Sequence, residues 1–103
     1  MRHAFIGHLR TERRAEYLRL HQAVWPEVLA LISATGITDY TIWNHGDLLF
    51  ATYVFNGPDH DQRIAAMVAT PVMQRWWAEC VPCFSTIEAG TPWVPLTQVF
   101  RLG

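Results

Sequence analysis

The stretch TDYTIWNHGDLLFATYVF, residues 38–55, decides how the rest of the chain is read. Its two halves, Thr38–Trp43 and Leu48–Phe55, are rich in β-branched and aromatic residues, which suit a pleated, half-buried surface. Between them stand Asn44, His45, Gly46 and Asp47. Asn, Gly and Asp tolerate the positive φ that a tight hairpin turn requires. Two strands joined in this way lie side by side and antiparallel.

Towards the N-terminus, Arg2–Leu9 alternates loosely, with Phe5, Ile6 and Leu9 among its apolar members, and reads as a first strand. Thr11 is placed to cap the helix that follows, and Glu12 suits the positive end of its dipole. Helical spacing runs through Tyr17, Leu18, His21, Val24, Val28 and Ile32. Pro26 interrupts it, because proline lacks an amide donor and pushes Trp25 out of the helical region. The spacing therefore predicts a helix ending near His21 and a second beginning at Pro26, closed by Gly36 as a left-handed cap.

Beyond the hairpin, Gly57-Pro58-Asp59 ends the strand and Asp59 is placed to cap a helix through Met67. Thr70-Pro71 starts another helix through Cys80, with proline at the favoured first position. A Gly- and Pro-containing loop, Val81–Pro95, leads to an expected last strand over Leu96–Leu102. The order strand, helix, strand, strand, helix, strand is that of an α+β, ferredoxin-like βαββαβ sandwich with helices on one sheet face. The other face would stay bare, and its apolar residues predict a twofold homodimer.

At 103 residues the chain is expected to form one domain, 1–103, with a small core. Half of it is hydrophobic and only 17% charged, and five Trp, three Tyr and five Phe are more than a small monomer readily buries. The surplus predicts an oligomer interface and an aromatic-lined pocket. A net charge of −1 without runs of like charge gives no face for nucleic acid. The absence of an apolar stretch of about 18 residues and of a signal-peptide pattern predicts a soluble, cytoplasmic protein without a membrane partner.

Among residues able to carry chemistry, His21 is the sharpest candidate. Tyr17 lies one helical turn before it, so the two share a face. A histidine at the C-terminal end of a helix broken at Trp25-Pro26 is expected to favour imidazolium and to serve as a proton donor near neutral pH. Trp76 and Trp77 point about 100° apart on a helix, so one is free to face the core and the other a pocket. Trp25 and Tyr40 are open to the same two roles. Cys80 and Cys83 form a Cys-x-x-Cys, but at a helix C-terminus, which works against thiolate, and no second pair completes a zinc site. His3 and His8 face opposite sides of a strand, and His45 and His60 sit in or beside turns and are expected to be solvated. No phosphate loop or nucleophile elbow is present, and no metal site is expected.

Tyr17-Leu18-Arg19-Leu20-His21-Gln22-Ala23-Val24-Trp25-Pro26-Glu27 resembles the Y-x-x-x-H-x-x-x-W-P-E signature of the L-rhamnose mutarotase family. Tyr40, Leu48-Leu49-Phe50-Ala51, Gln74-Arg75-Trp76-Trp77 and Gln98-Val99-Phe100 resemble further family motifs, in order along the chain. The resemblance implies a ferredoxin-like fold of the dimeric α/β barrel type, with strands pairing across subunits. It implies interconversion of the α and β anomers of L-rhamnose or a related 6-deoxy sugar, without cofactor or metal. His21 would be the proton donor, Tyr17 a second catalytic or clamping group, and Tyr17, Tyr40, Trp76 and Trp77 the sugar-binding residues. The sequence departs from the pattern at Gln22, Trp43, Ile64 and in a shorter hairpin turn, which leaves L-fucose as an alternative sugar. A non-catalytic, dimeric sugar-binding module is the alternative of another class.

Overall fold

The computed structural model describes residues 1–87 and 91–103. Four strands form one antiparallel sheet in the order β2-β3-β1-β4: β1 Arg2–His8, β2 Ile37–His45, β3 Leu48–Phe55 and β4 Val94–Pro95. β1 leads into α1 (Arg14–His21) and α2 (Pro26–Thr35), and β3 into α3 (His60–Val68) and α4 (Pro71–Cys80). This is the ferredoxin-like α+β arrangement with each crossover helix split in two. Proline marks both splits. Trp25 and Thr70 are extended, with ψ of 133° and 147°, and Pro26 and Pro71 open the helices that follow. Thr70 caps α4 by accepting the Met73 amide at 3.4 Å, and Gly36 closes α2 at φ +108°.

The hairpin is tighter than its sequence suggests. Asn44 and His45 already belong to β2, leaving a turn at Gly46-Asp47 with Gly46 at φ +58°. The Asn44 amide donates to the Gly46 and Leu48 carbonyls at 2.9 and 3.1 Å and braces the turn beside the ladder.

Three expectations are corrected. Thr11 opens a short 3-10 turn before α1 and does not cap a helix; its hydroxyl donates to the Asp47 carboxylate and ties β1's exit to the hairpin turn. Asp59 precedes α3 in the left-handed region, at φ +64°, so its side chain makes no capping bond. The last strand is not Leu96–Leu102. β4 covers only Val94–Pro95, and one further bond, Leu96 N–H to the Ala4 carbonyl at 2.8 Å, extends it. Proline at 92 and 95 removes ladder donors, and β1, which begins at Arg2, has no backbone left to pair with the residues after Val99. Val99, Phe100 and Leu102 are 93%, 79% and 90% exposed.

Burial alternates along β3. Leu49, Ala51, Tyr53 and Phe55 are buried beneath the helices, whereas Phe50 opposes Trp43 on the bare face. Between Thr38 and Thr41 the β2–β3 ladder carries a bulge. Asp39 and Tyr40 together oppose Tyr53, with Asp39 in the left-handed region at φ +49°. Strict alternation would send Ile37 and Tyr40 to opposite faces. The extra residue lets both face the helices. On β1, the Phe84 and Trp93 rings lie directly over Gly7; a Cβ there would sit 2.7 Å from Phe84 and 3.1 Å from Trp93. Among the described residues no helix is long and apolar enough to cross a membrane.

Candidate active site

The pair Tyr17–His21 ends α1. Their rings stack at 4.1 Å, and His21 Nδ1 lies 3.0 Å from the Tyr17 carbonyl oxygen. A carbonyl only accepts, so Nδ1 carries the proton and the neutral ring has its lone pair on Nε2. Nε2 has no hydrogen-bond partner among the described residues, and neither has the Tyr17 hydroxyl. No buried side-chain oxygen or nitrogen there is orphaned, so both atoms keep access to the space beside them.

That space is a chamber of about 50 Å³ walled by Tyr17, His21, Tyr40, Trp76, Trp77 and Trp93. A second chamber of about 260 Å³ shares Tyr40, Trp76, Trp77 and Trp93 and runs on past Phe5, Tyr53, Ile64 and Met67. His21, Tyr40 and Trp76 also border an open groove between α2 and β2. All five residues singled out from the sequence (Tyr17, His21, Tyr40, Trp76 and Trp77) thus converge on one place.

The aromatic frame is a chain of edge contacts. Trp76 meets His21 at 5.4 Å and Trp25 at 5.2 Å; Phe84 meets Tyr17 and Trp93, each at 5.4 Å. Trp76 is buried in the core yet presents part of its indole to the cavity, whereas Trp77 is half-buried and lines both chambers. Trp25 packs on the core and touches neither chamber.

Burial lowers the His21 pKa from its ordinary value, and the bond to the Tyr17 carbonyl offsets this only in part. The helix end therefore does not leave His21 an imidazolium at neutral pH as expected. Desolvation of the ring outweighs the carbonyl. Burial also pushes the Tyr17 phenol well up, the Tyr40 phenol to about 12 and the Cys80 thiol to about 12. Tyr40 keeps 39% of its surface exposed, but its hydroxyl end is the buried part. Among the described residues lining the small chamber, His21 is thus the one imidazole, beside phenols and a thiol that burial keeps protonated.

Cys80 and Cys83 are free, buried thiols, and Cys83 is also pushed up by burial. No group of three or more metal-ligating side chains occurs among the described residues. His45 is exposed, but His60 is not solvated. It is half-buried against His3 and hydrogen-bonded on both nitrogens, because α3 begins at His60 and turns its ring over the edge of β3. Sequence reading also passed over Trp93, which closes both chambers from within the expected loop. A fifth indole in a chain with so little core to fill was the available signal.

A protein-family model described as L-rhamnose mutarotase matches residues 2–102. The chain belongs to the L-rhamnose mutarotase family. It is 40% identical over 89 residues to the L-rhamnose mutarotase of Burkholderia cenocepacia strain HI2424, covering 86% of this chain and 85% of that one. It is 36% identical over 106 residues to the L-rhamnose mutarotase of Rhizobium meliloti strain 1021, covering 98% and 97%. The crystal structure of the L-rhamnose mutarotase from Formosa agariphila superposes with a TM-score of 0.79 over 100% of this chain and 99% of that one, at 24% identity. The fold extends beyond the mutarotase family: tetracenomycin F2 cyclase from Streptomyces glaucescens gives a TM-score of 0.64 at 10% identity, over 100% of this chain and 99% of that one.

Proposed function

We propose that the chain interconverts the α and β anomers of L-rhamnose by acid–base opening and reclosing of the pyranose ring, with His21 moving the proton. The observation that carries this reading is the unoccupied Nε2 of His21 facing a cavity of indoles and phenols, with Nδ1 fixed on a carbonyl. Ring opening takes a proton from the anomeric hydroxyl and places one on the ring oxygen as the C1–O bond breaks. Both oxygens are bonded to C1, so one nitrogen is able to serve both. Neutral His21 accepts the first proton, and the imidazolium so formed is the donor at the ring oxygen. The aldehyde then turns about C1–C2 and closes on its other face. No electrons are exchanged with a second reactant, so the reaction needs only proton transfer and grip.

Tyr17 and Tyr40 stay neutral phenols and hold sugar oxygens by hydrogen bonds. Trp76 and Trp77 pack against C–H groups and the 6-deoxy methyl, and their N–H groups donate to hydroxyls. Ile64, on the wall of the larger chamber, is where this site has scope to tell one 6-deoxy sugar from another.

Exchange between the anomeric protons of L-rhamnose, followed by saturation-transfer NMR with L-fucose run beside it, tests the reading. Wild type is expected to accelerate exchange and His21→Ala to lose about 10²–10⁴-fold. An unchanged rate in His21→Ala would overturn the assignment, and tight binding of the sugar without exchange would favour a binding module.

The same reading includes a cytoplasmic homodimer. It is supported by Trp43, 66% exposed on the bare sheet face, and by the apolar residues of 99–102. A dimeric ferredoxin-like protein from an uncultured marine organism also shares the fold, with a TM-score of 0.58. A monomer in sedimentation at micromolar concentration would remove the dimer from the proposal.

A further inference from the structure

Behind Tyr53, in the wall of the larger chamber, stands a second imidazole. His60 opens α3, with Nδ1 2.8 Å from Asp61 Oδ1 and Nε2 2.7 Å from the Tyr53 hydroxyl. A carboxylate only accepts, so Nδ1 carries the proton. The neutral ring then has its lone pair on Nε2, and Tyr53 donates to it. His3 stacks on the ring at 4.0 Å and 6° from parallel, so the imidazole is held by one face as well as by both nitrogens. Tyr53 is buried in the wall of the larger chamber, its ring 5.7 Å from Phe5 and 5.6 Å from Tyr40.

Tyr40 depends on that support. It stands in the bulge of β2, where the ladder gives neither Asp39 nor Tyr40 a regular partner, and more than a third of its surface is exposed. The Arg2–Asp39 ion pair at 2.8 Å is itself half exposed and holds the bulge only weakly. The aromatic ring that meets Tyr40 from within the sheet is Tyr53, at 5.6 Å.

We infer that Asp61, His60 and Tyr53 form a positioning chain for Tyr40, so that the cavity's affinity for its sugar depends on His60 keeping an acceptor at Nε2. The inference rests on the mutarotase reading and deepens it by naming residues that set affinity without touching the reacting atoms.

Anomeric exchange measured across L-rhamnose concentrations separates KM from the saturated rate. Tyr53→Phe and His60→Ala are expected to raise KM by about threefold to tenfold, the worth of one neutral hydrogen bond. The saturated rate should stay within about twofold of wild type. His60→Gln, whose amide oxygen accepts, should restore KM. A wild-type KM in Tyr53→Phe, a loss confined to the saturated rate, or a KM in His60→Gln as high as in His60→Ala overturns the chain. Should His60→Ala fail to fold, Tyr53→Phe, which keeps the ring, decides. Absence of exchange in wild type would overturn the mutarotase reading itself. Exchange that vanishes in His21→Ala but ignores Tyr53→Phe would overturn the positioning chain alone.

Discussion

One histidine stands in the cavity wall at one end and another behind the wall at the other, both in the same tautomer. At one end, His21 gives its Nδ1 proton to a backbone carbonyl and leaves Nε2 with no partner among the described residues. At the other, His60 gives its Nδ1 proton to a carboxylate and spends Nε2 on Tyr53. The first ring is fixed and unoccupied, the second fixed and occupied. The difference teaches that pinning one nitrogen of an imidazole only orients it. Whether the residue handles protons or holds its neighbours is decided at the other nitrogen.

Removing each ring should therefore give unlike losses, the largest at His21. His21→Ala should cost about 10²–10⁴-fold in exchange at saturating sugar, whereas substitutions at His60 move KM. Equal falls in the saturated rate at both ends would erase the distinction. Gly7→Ala acts on the His21 end through Phe84 and on both chambers through Trp93, because the new Cβ runs into both rings. Chemical denaturation should show a loss of about 1–3 kcal/mol, and sugar affinity should fall as Trp93 is pushed from the wall. A variant as stable as wild type would mean that these rings give way freely.

Acid should report on both ends. His21 and His3 each have pKa values lowered below 6.5, in both cases chiefly by burial, so the unfolded chain binds more protons than the folded one as pH drops below that value. The stability tied to these neutral rings is complete above pH 6.5 and is lost as pH falls through their folded values. Thermal melts of His21→Ala and His3→Ala should each show a shallower acid slope than wild type, and an unaltered slope in both would refute the assignment. The smallest effect is expected from Asp61→Asn. Asp61 is fully exposed, and the amide oxygen still accepts from Nδ1, so KM at neutral pH should change by less than about twofold.

Much of this was legible in the chain because local signals and the fold agreed. Pro26, Gly36 and Thr70-Pro71 each act within a few residues, and the boundaries they set fell where the backbone chemistry placed them; the Asn-His-Gly-Asp turn was found, but its first two residues belong to β2. Tyr17 and His21 share a helix face by spacing alone. What the sequence hid depends on contacts across it. Alternation cannot reveal that Asp39 is an extra residue. The loop that carries Trp93 has no period, and His60 reads as solvated until β1 brings His3 beneath it. The final strand failed for the same reason: 96–102 has the composition of a strand but, past the first residues of β1, no neighbour within its own protomer.

The bulge at Asp39 also makes β2 tolerant of a change in length at one point. Taking Asp39 out would close the ladder into an unbroken run, with Ile37 and Tyr40 keeping the faces they have now. The same single-residue deletion elsewhere in β2 would turn half the strand inside out. Insertions and deletions in this sheet are therefore survivable at one site, and that site is next to the ring that touches every chamber of the cavity.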